Sequence, residues 1–305
     1  MDLVLMVPAA MTGLSMTDNK NRAPICLRTP KLCLWNREVV FLGTGYARQQ
    51  PHRTTQERLT LCLNGTFTVR GRNSQPIQTR SCLTPSGVWL DHTVLDTRQA
   101  VVAIFFLPPL SQDYAVLGSL MREATPGVFY EHPDEDALIR EALRIRNAPD
   151  VSAPAARQRL RNLLLPRSLR NAVLQDFDPR IVRTAQRIRE SLRTPWSLDE
   201  MAQGVHLSGS RLEKLFKQQV GLPITQYRVR YRVFIGTILM ALGHSMTDAA
   251  MYAGFSNSAH LSRCYRSING LTPSAMFLQP PFLRPLIDES AFELVAPLLG
   301  RQVAV

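Results

Sequence analysis

SLDEMAQGVHLSGSRLEKLFKQQVGLP, residues 197–223, and SMTDAAMYAGFSNSAHLSRCYRSINGLTP, residues 245–273, are two versions of one pattern. Ser197 and Ser245 stand 48 apart, as do Ala202 and Ala250, Leu207 and Phe255, and Ser208 and Ser256. One inserted residue then widens the offset to 49, aligning Leu212 with Leu261, Lys214 with Arg263, Phe216 with Tyr265 and Gly221 with Gly270. Recurrence at a fixed offset marks one supersecondary unit present twice.

The local signals say what that unit is. Asp178-Pro179 is a helix start, Asp as N-cap and Pro in the first turn. Ser197 and Glu200 form a capping box that opens a second, short helix. Gly204 ends it, 205–207 turn, and Ser208 caps a third helix that runs to Gly221. Helix, short turn, helix is a helix-turn-helix arrangement. On the third helix Leu212, Leu215 and Phe216 share one face by i, i+3, i+4 spacing. Ser210, Arg211, Lys214 and Lys217 occupy the opposite face, with Glu213 at its side, so the helix is short and basic outward, of a size to enter a major groove. A longer helix from Leu222-Pro223 through Leu242, about 30 Å at 1.5 Å per residue, separates this unit from the next. There Ser245 caps, Gly254-Phe255 turns, and Ser256-Asn257 cap a helix through Asn269. Leu261, Tyr265 and Ile268 pack inward, while Ser258, His260, Arg263 and Arg266 face out.

Residues 180–278 resemble the DNA-binding domain of the AraC/XylS family of bacterial transcription regulators. The resemblance rests on Ala202, Leu207-Ser208, Leu212, Lys214, Phe216-Lys217, Gly221, Pro223, Tyr227 and Arg232. In the second unit it rests on Gly254-Phe255, Ser258, His260, Arg263, Tyr265-Arg266, Gly270, Thr272-Pro273 and Phe277. It implies two helix-turn-helix units entering successive major grooves of double-stranded DNA. Ser210, Glu213, Lys214, His260 and Arg263 are then the expected base readers, with Arg211, Lys217 and Arg266 nearer phosphates. The chemistry agrees, since Arg and Lys donate to guanine and Glu accepts from cytosine. Ala249, Ala259 and Leu261 depart from the family pattern and are expected to loosen the core or cap of the second unit.

The N-terminal half reads as short strands and turns, expected as a small cupin-like β-barrel or sandwich followed by helices. Val39–Leu42, Leu59–Leu63, Phe67–Val69 and Val101–Leu107 are the strand candidates, with Asn64-Gly65 a hairpin turn joining the second and third. Metal-binding barrels of this kind carry paired histidines and a glutamate; here His52, Glu57 and a distant His92 are the only candidates, and a polar barrel mouth is the better reading. Asp134 is the expected N-cap of a helix over 135–147. Ala155–Leu165 carries a stripe of Leu160, Leu163 and Leu164 suited to a core or to a helix-pair dimer seam. The expected fold is therefore α+β in two domains. Residues 1–166 form a regulatory and dimerisation domain, 167–178 a linker, 179–280 the all-α DNA-binding domain and 281–305 a proline-broken tail.

Charge supports an anionic partner. Lys and Arg number 36 against 24 Asp and Glu, a net charge of +12, which favours a nucleic-acid backbone. Arginines crowd 157–193 and 211–232, where solvated helix faces are the plain reading. The five cysteines have no metal spacing and read as free thiols in a reducing compartment. MDLVLMVPAAM lacks the basic start of a signal peptide, and no apolar run approaches the roughly 20 residues of a membrane span, so a cytoplasmic protein is expected. The resulting expectation is a sequence-specific transcription regulator, an activator and homodimer, with no enzymatic activity and no cofactor. RNA polymerase and a small-molecule effector of unnamed chemistry are further expected partners. The alternatives are a cupin-type metal enzyme fused to a DNA-binding domain and a ligand-free architectural DNA binder.

Overall fold

A computed structural model describes residues 29–44, 52–70, 75–90, 95–96, 100–192 and 194–300. Cys26, His92 and the apolar N-terminal stretch lie outside the described residues. The N-terminal strands are β1 Lys31–Leu34, β2 Val39–Thr44, β3 His52–Arg53, β4 Arg58–Cys62, β5 Phe67–Val69, β6 Ile77–Thr79, β7 Ser81–Thr84, β8 Trp89–Leu90, β9 Leu95–Asp96 and β10 Val101–Phe106. There follow α1 Asp113–Leu120, the hairpin β11 Arg122–Thr125 and β12 Val128–Tyr130, α2 Glu135–Asn147 and α3 Ala153–Leu164. The C-terminal half comprises α4 Pro179–Glu190, α5 Leu198–Gln203, α6 Gly209–Val220, α7 Ile224–Ala241, α8 Met246–Tyr252, α9 Ser258–Asn269, α10 Pro273–Phe277, β13 Arg284–Ile287 and α11 Glu289–Val295.

Eight strands form one sheet in the order β11-β12-β7-β4-β10-β2-β1-β13, with β3-β8 and β6-β5-β9 as two small satellite sheets. The period-2 alternation of strand side chains divides the large sheet between two cores. Cys33, Val40, Leu42, Leu59, Leu61, Leu83, Ala103 and Phe105 face the layer of α1, α2 and α3. Leu32, Leu34, Phe41 and Val102, with half-buried Val39, Ile104 and Phe106, face the C-terminal domain. Both faces are covered, which is why β1, β4 and β7 are buried along their whole length. The helix layer is fastened by polar contacts at its edges. Buried Lys31 donates from Nζ to the Ile145 carbonyl at 2.7 Å and to that of Ala148, at the negative end of the α2 dipole. Trp35 donates its indole N–H to Ala153 at 2.9 Å. Arg157 grips Glu38 at 2.9 and 3.0 Å, and Arg161 forms a two-pronged pair with buried Asp113. These two arginines of the basic series therefore hold α3 in place.

Several expectations change. Asn64-Gly65 does not close a hairpin between β4 and β5. β4 is central, flanked by β7 and β10, and β5 belongs to a satellite sheet between β6 and β9. Asn64 Oδ1 accepts the Val101 N–H at 2.6 Å, and Gly65, with φ 117°, turns the chain out of the large sheet. The hairpin β11–β12, which pivots on Pro126-Gly127, was not anticipated. Asp134 occupies the N-cap position of α2 without a side-chain capping bond. Leu160 and Leu164 are buried against the sheet and Leu163 packs beside them, so the stripe of α3 is core rather than a free seam.

Of the segment expected as a proline-broken tail, residues 284–299 form regular structure. β13 joins the edge of the sheet parallel to β1, Lys31 opposite Arg284 through Leu34 opposite Ile287, and Asp288 donates its N–H to Leu34 at 2.9 Å. Pro285 is accepted there because β13 is an edge strand. α11 then buries Ala291 and Val295 in the core that α7 shares with the sheet. The helical segment α4–α10 is thus followed by a strand, β13, that returns the chain to β1 of the N-terminal sheet. Segment 167–178 carries a 3-10 turn at Arg167–Leu169 and is held by Gln112, whose Oε1 accepts the N–H groups of Leu174 and Gln175 at 2.9 Å.

Candidate nucleic-acid interface

The two helix-turn-helix units are built by the same local chemistry. Ser197 accepts the Glu200 N–H at 3.2 Å and Glu200 returns to the Ser197 N–H at 2.7 Å, closing the capping box on α5. Ser245 accepts the Asp248 N–H at 3.1 Å at the start of α8. Ser208 caps α6 at Arg211, and Asn257 caps α9 at His260 at 2.8 Å. Both 12-residue helices end on a left-handed glycine, Gly221 with φ 77° and Gly270 with φ 73°. This places no Cβ in that conformation.

On α6, Leu212 and Phe216 are buried, and Phe216 meets Tyr227 edge-on at 5.3 Å. Ser210, Arg211, Lys214 and Lys217 are exposed on the opposite face. Glu213 is half-buried, and its Oε1 accepts the Ile224 N–H at 3.3 Å, which satisfies an orphan donor at the N-terminus of α7. On α9, Leu261 and Tyr265 are buried while Arg263 and Arg266 are exposed. Ser258 sits half-buried in the first turn. His260 is half-buried too, with Nδ1 3.2 Å from the Ser256 hydroxyl and its ring edge-on to Phe255 at 5.2 Å. The structure thus presents the predicted cationic faces of both helices, and ties Glu213 and His260 into local contacts.

The small residues of the second unit do not loosen it. Ala249, Ala250 and Ala253 are fully buried, and a Cβ on Gly236 of α7 would meet Leu261 at 3.3 Å and Ala253 at 3.8 Å. Small side chains let the helices approach closely, and Ala259 is exposed. Sequence reasoning missed a second group of polar contacts around the first unit. Arg187 lies over the Trp196 ring at 4.8 Å, and Arg228 donates to the Trp196 carbonyl at 2.7 Å. Ser86 donates to the Val220 carbonyl at 3.2 Å, and Arg230 donates to Gln56, linking this unit to the N-terminal domain. The only signal available was the density of arginine on α4 and α7, which does not name partners distant in sequence.

Residues 201–279 match the family described as a helix-turn-helix domain. The C-terminal unit is a helix-turn-helix domain. Among curated relatives, the chain is similar to the HTH-type transcriptional regulator ArgR of Pseudomonas aeruginosa and the HTH-type transcriptional activator RhaR of Escherichia coli. ArgR is 30% identical over 96 residues, 31% of this chain and 29% of that protein. RhaR is 26% identical over 168 residues, 54% of this chain and 53% of that protein. The chain therefore spans no more than about half the length of these relatives. Among solved structures, an apo variant of ToxT from Vibrio cholerae superposes with a TM-score of 0.51 at 10% identity, over 78% of this chain and 96% of that one. That likeness is one of fold: a β-rich domain followed by a helical domain with helix-turn-helix units.

Among the described residues no cluster of His, Cys, Asp and Glu is arranged to hold a metal. Buried His52 stands with Nε2 3.5 Å from the Arg58 guanidinium. Cys33 and Cys82 are buried with thiols pushed up to about 12 by desolvation, the reverse of a reactive thiolate. No helix among the described residues is long and apolar enough to cross a membrane.

Proposed function

We propose that this chain is a sequence-specific transcription regulator that binds double-stranded DNA in the cytoplasm, with α6 and α9 entering successive major grooves. The observation that carries the reading is the repeated pairing of a buried apolar stripe with an exposed cationic face on two capped helices of equal length. α7, 18 residues long, spans about 27 Å at 1.5 Å per residue, close to one DNA turn of about 34 Å. Lys214, Arg263 and Ser210 are the base readers; Arg211, Lys217 and Arg266 neutralise phosphates. Ser258 contacts the backbone near the α9 N-terminus, where the helix dipole favours an anion. His260 reads with the ring edge not turned to Ser256, and Glu213 acts by holding the start of α7. Dimerisation through the N-terminal domain and an activator role, with RNA polymerase as a further partner, complete the proposal.

Lys214→Ala and Arg263→Ala should each weaken binding to a selected site by about 1–3 kcal/mol while leaving affinity for random DNA nearly unchanged at fixed salt. Equal losses on both DNAs would make these residues phosphate contacts. A site-to-random affinity ratio near one for the unaltered protein would favour an architectural binder. Sedimentation of the full chain should give a dimer mass; a monomer mass at micromolar concentration would remove the dimer from the proposal.

A further inference from the structure

An open cleft of about 1090 Å³ separates the first helix-turn-helix unit from α11, a size that suits a small-molecule site. The end of α4 and residues 194–196 line it on one side and α11 on the other, with Tyr231 and Ile235 of α7 and the Asn36-Arg37 turn between β1 and β2 completing it. Two guanidinium groups reach it, Arg37 from that turn and Arg189 from the last turn of α4. Arg189 is half-buried and donates to the Tyr227 hydroxyl at 2.9 Å. Arg37 has no comparable structural use. It is exposed and sits at φ 72°, where a tight turn favours glycine or asparagine and any other side chain costs about 1–2 kcal/mol.

Both charges act on one phenol. Burial pushes the Tyr231 hydroxyl up to about 12, and Arg189 and Arg37 oppose that shift, so both guanidiniums lie within electrostatic reach of it. Among the described residues neither arginine forms an ion pair with a carboxylate. The acids of the cleft do not neutralise them. Glu200 is bound in the capping box of α5, Glu190 accepts from Gln186 at 2.7 Å, and Glu293 of α11 is exposed to water. Two forked cations beside a hydroxyl donor match a dianion with several oxygens. A phosphate monoester carries about −1.5 to −2 charge near neutrality and three acceptor oxygens, and guanidinium forks fit those oxygens in pairs. A carboxylate or a phosphodiester brings a single charge and balances only one of the two arginines.

We propose that this cleft binds a phosphate monoester of a small molecule, with Arg37, Arg189 and the Tyr231 hydroxyl holding the phosphoryl oxygens. Apolar Ile235 and Leu294 and polar Gln186 and Ser191 leave room for a body such as a sugar ring. The ligand touches α4 of the first unit on one side and the β1–β2 turn and α11 on the other, and so ties the first unit to the rest of the chain. Its effect on DNA binding rests on the DNA-binding reading; its occupancy does not.

Calorimetric titration of the full chain, without DNA and in a phosphate-free buffer, with methyl phosphate and with dimethyl phosphate separates the monoester dianion from the diester monoanion. Methyl phosphate should bind one per chain and about tenfold or more tightly than dimethyl phosphate. Arg37→Gly removes one guanidinium and suits the left-handed turn, so the fold is kept while that preference is lost. Arg140→Gln, an equal loss of charge at an exposed site on α2, should change neither affinity. No binding of methyl phosphate would overturn the proposal. Equal affinity for the diester would assign the cleft to phosphodiesters such as the DNA backbone, and equal weakening by Arg140→Gln would reduce the binding to general attraction by the net positive charge; either overturns it too. Because no DNA is present, each of these results leaves the DNA-binding reading standing, and loss of specific DNA binding would leave phosphate occupancy measurable.

Discussion

The two helix-turn-helix units share caps, lengths and turn positions, yet they are stabilised differently. The first has its own core: Ile181, Ala185 and Ile188 of α4, Met201, Ala202 and Val205 around α5, Leu212, Phe216 and Val220 of α6, and Ile224 and Tyr227 of α7. The second has none of its own. Leu261, Tyr265 and Phe255 join a single cluster with Leu32, Leu34, Phe41 and Val102 of the sheet and with Ala291 and Val295 of α11. A repeat read from sequence implies two equivalent readers. The packing makes the first a self-contained module and the second a part of the N-terminal domain's own core. Any change in the sheet therefore reaches the second unit before the first.

Truncations at matched depth test that contrast most severely. Phe216→Ala and Phe41→Ala, each removing a buried ring, should cost about 3–5 kcal/mol. Hydrogen exchange should rise over 179–227 for Phe216→Ala. For Phe41→Ala it should rise in β1, β2, α8 and α9 together. Unaltered exchange in α8 and α9 on losing Phe41 would refute the shared core.

The turns offer a smaller test. His206 and Gly254 stand 48 apart in the repeat and both adopt left-handed backbone, φ 55° and 79°. The second unit answers this with glycine; the first accepts an exposed histidine. Gly254→Ala should cost about 1–2 kcal/mol for the conformation, with a Cβ also 3.2 Å from the Leu192 carbonyl. His206→Gly should stabilise the first unit by about 0.5–1 kcal/mol, read in urea denaturation. A loss of stability on His206→Gly would show that its side chain contributes more than its backbone strain takes away.

A pH dependence is expected at the join between the two halves. Glu57 has its carboxyl raised from 4.5 to about 7 by burial, opposed by Arg230 and reinforced by Asp113. The folded protein then binds more protons than the unfolded chain between these values, so this group's contribution favours folding as pH falls from about 7 towards 4.5. Above pH 7 the ionised carboxylate is buried at a cost. Glu57→Gln should flatten that part of the stability profile between pH 5 and 7; an unchanged slope would assign the dependence to other groups.

The helical domain was legible because its signals are local. A serine accepting an amide three residues on, a glycine at a left-handed stop and an apolar stripe at i, i+3, i+4 each act within one or two turns, and all recur at the repeat offset. The exposed cations Arg211, Lys214, Lys217, Arg263 and Arg266 were legible for the same reason, since helical period alone puts them opposite Leu212, Phe216, Leu261 and Tyr265. The contact of Glu213 with the Ile224 N–H was not legible, because that partner lies beyond the next turn. The strand region was legible in content but not in pairing. Alternation in β4 marks a strand with two distinct faces, yet it does not say that both faces are covered or that Asn64-Gly65 leads out of the sheet.

By itself the sequence determined the repeated helix-turn-helix units, their caps and their basic faces, because those follow from interactions a few residues long. Tertiary structure alone decided that β13 returns from the far end of the chain to pair with β1, that the second unit shares its core with the sheet, and that Arg37 and Arg189 line one cleft. Those features depend on residues more than a hundred positions apart meeting in space. Neither hydrophobic period nor capping preference carries information over that distance; burial of the whole sheet face does.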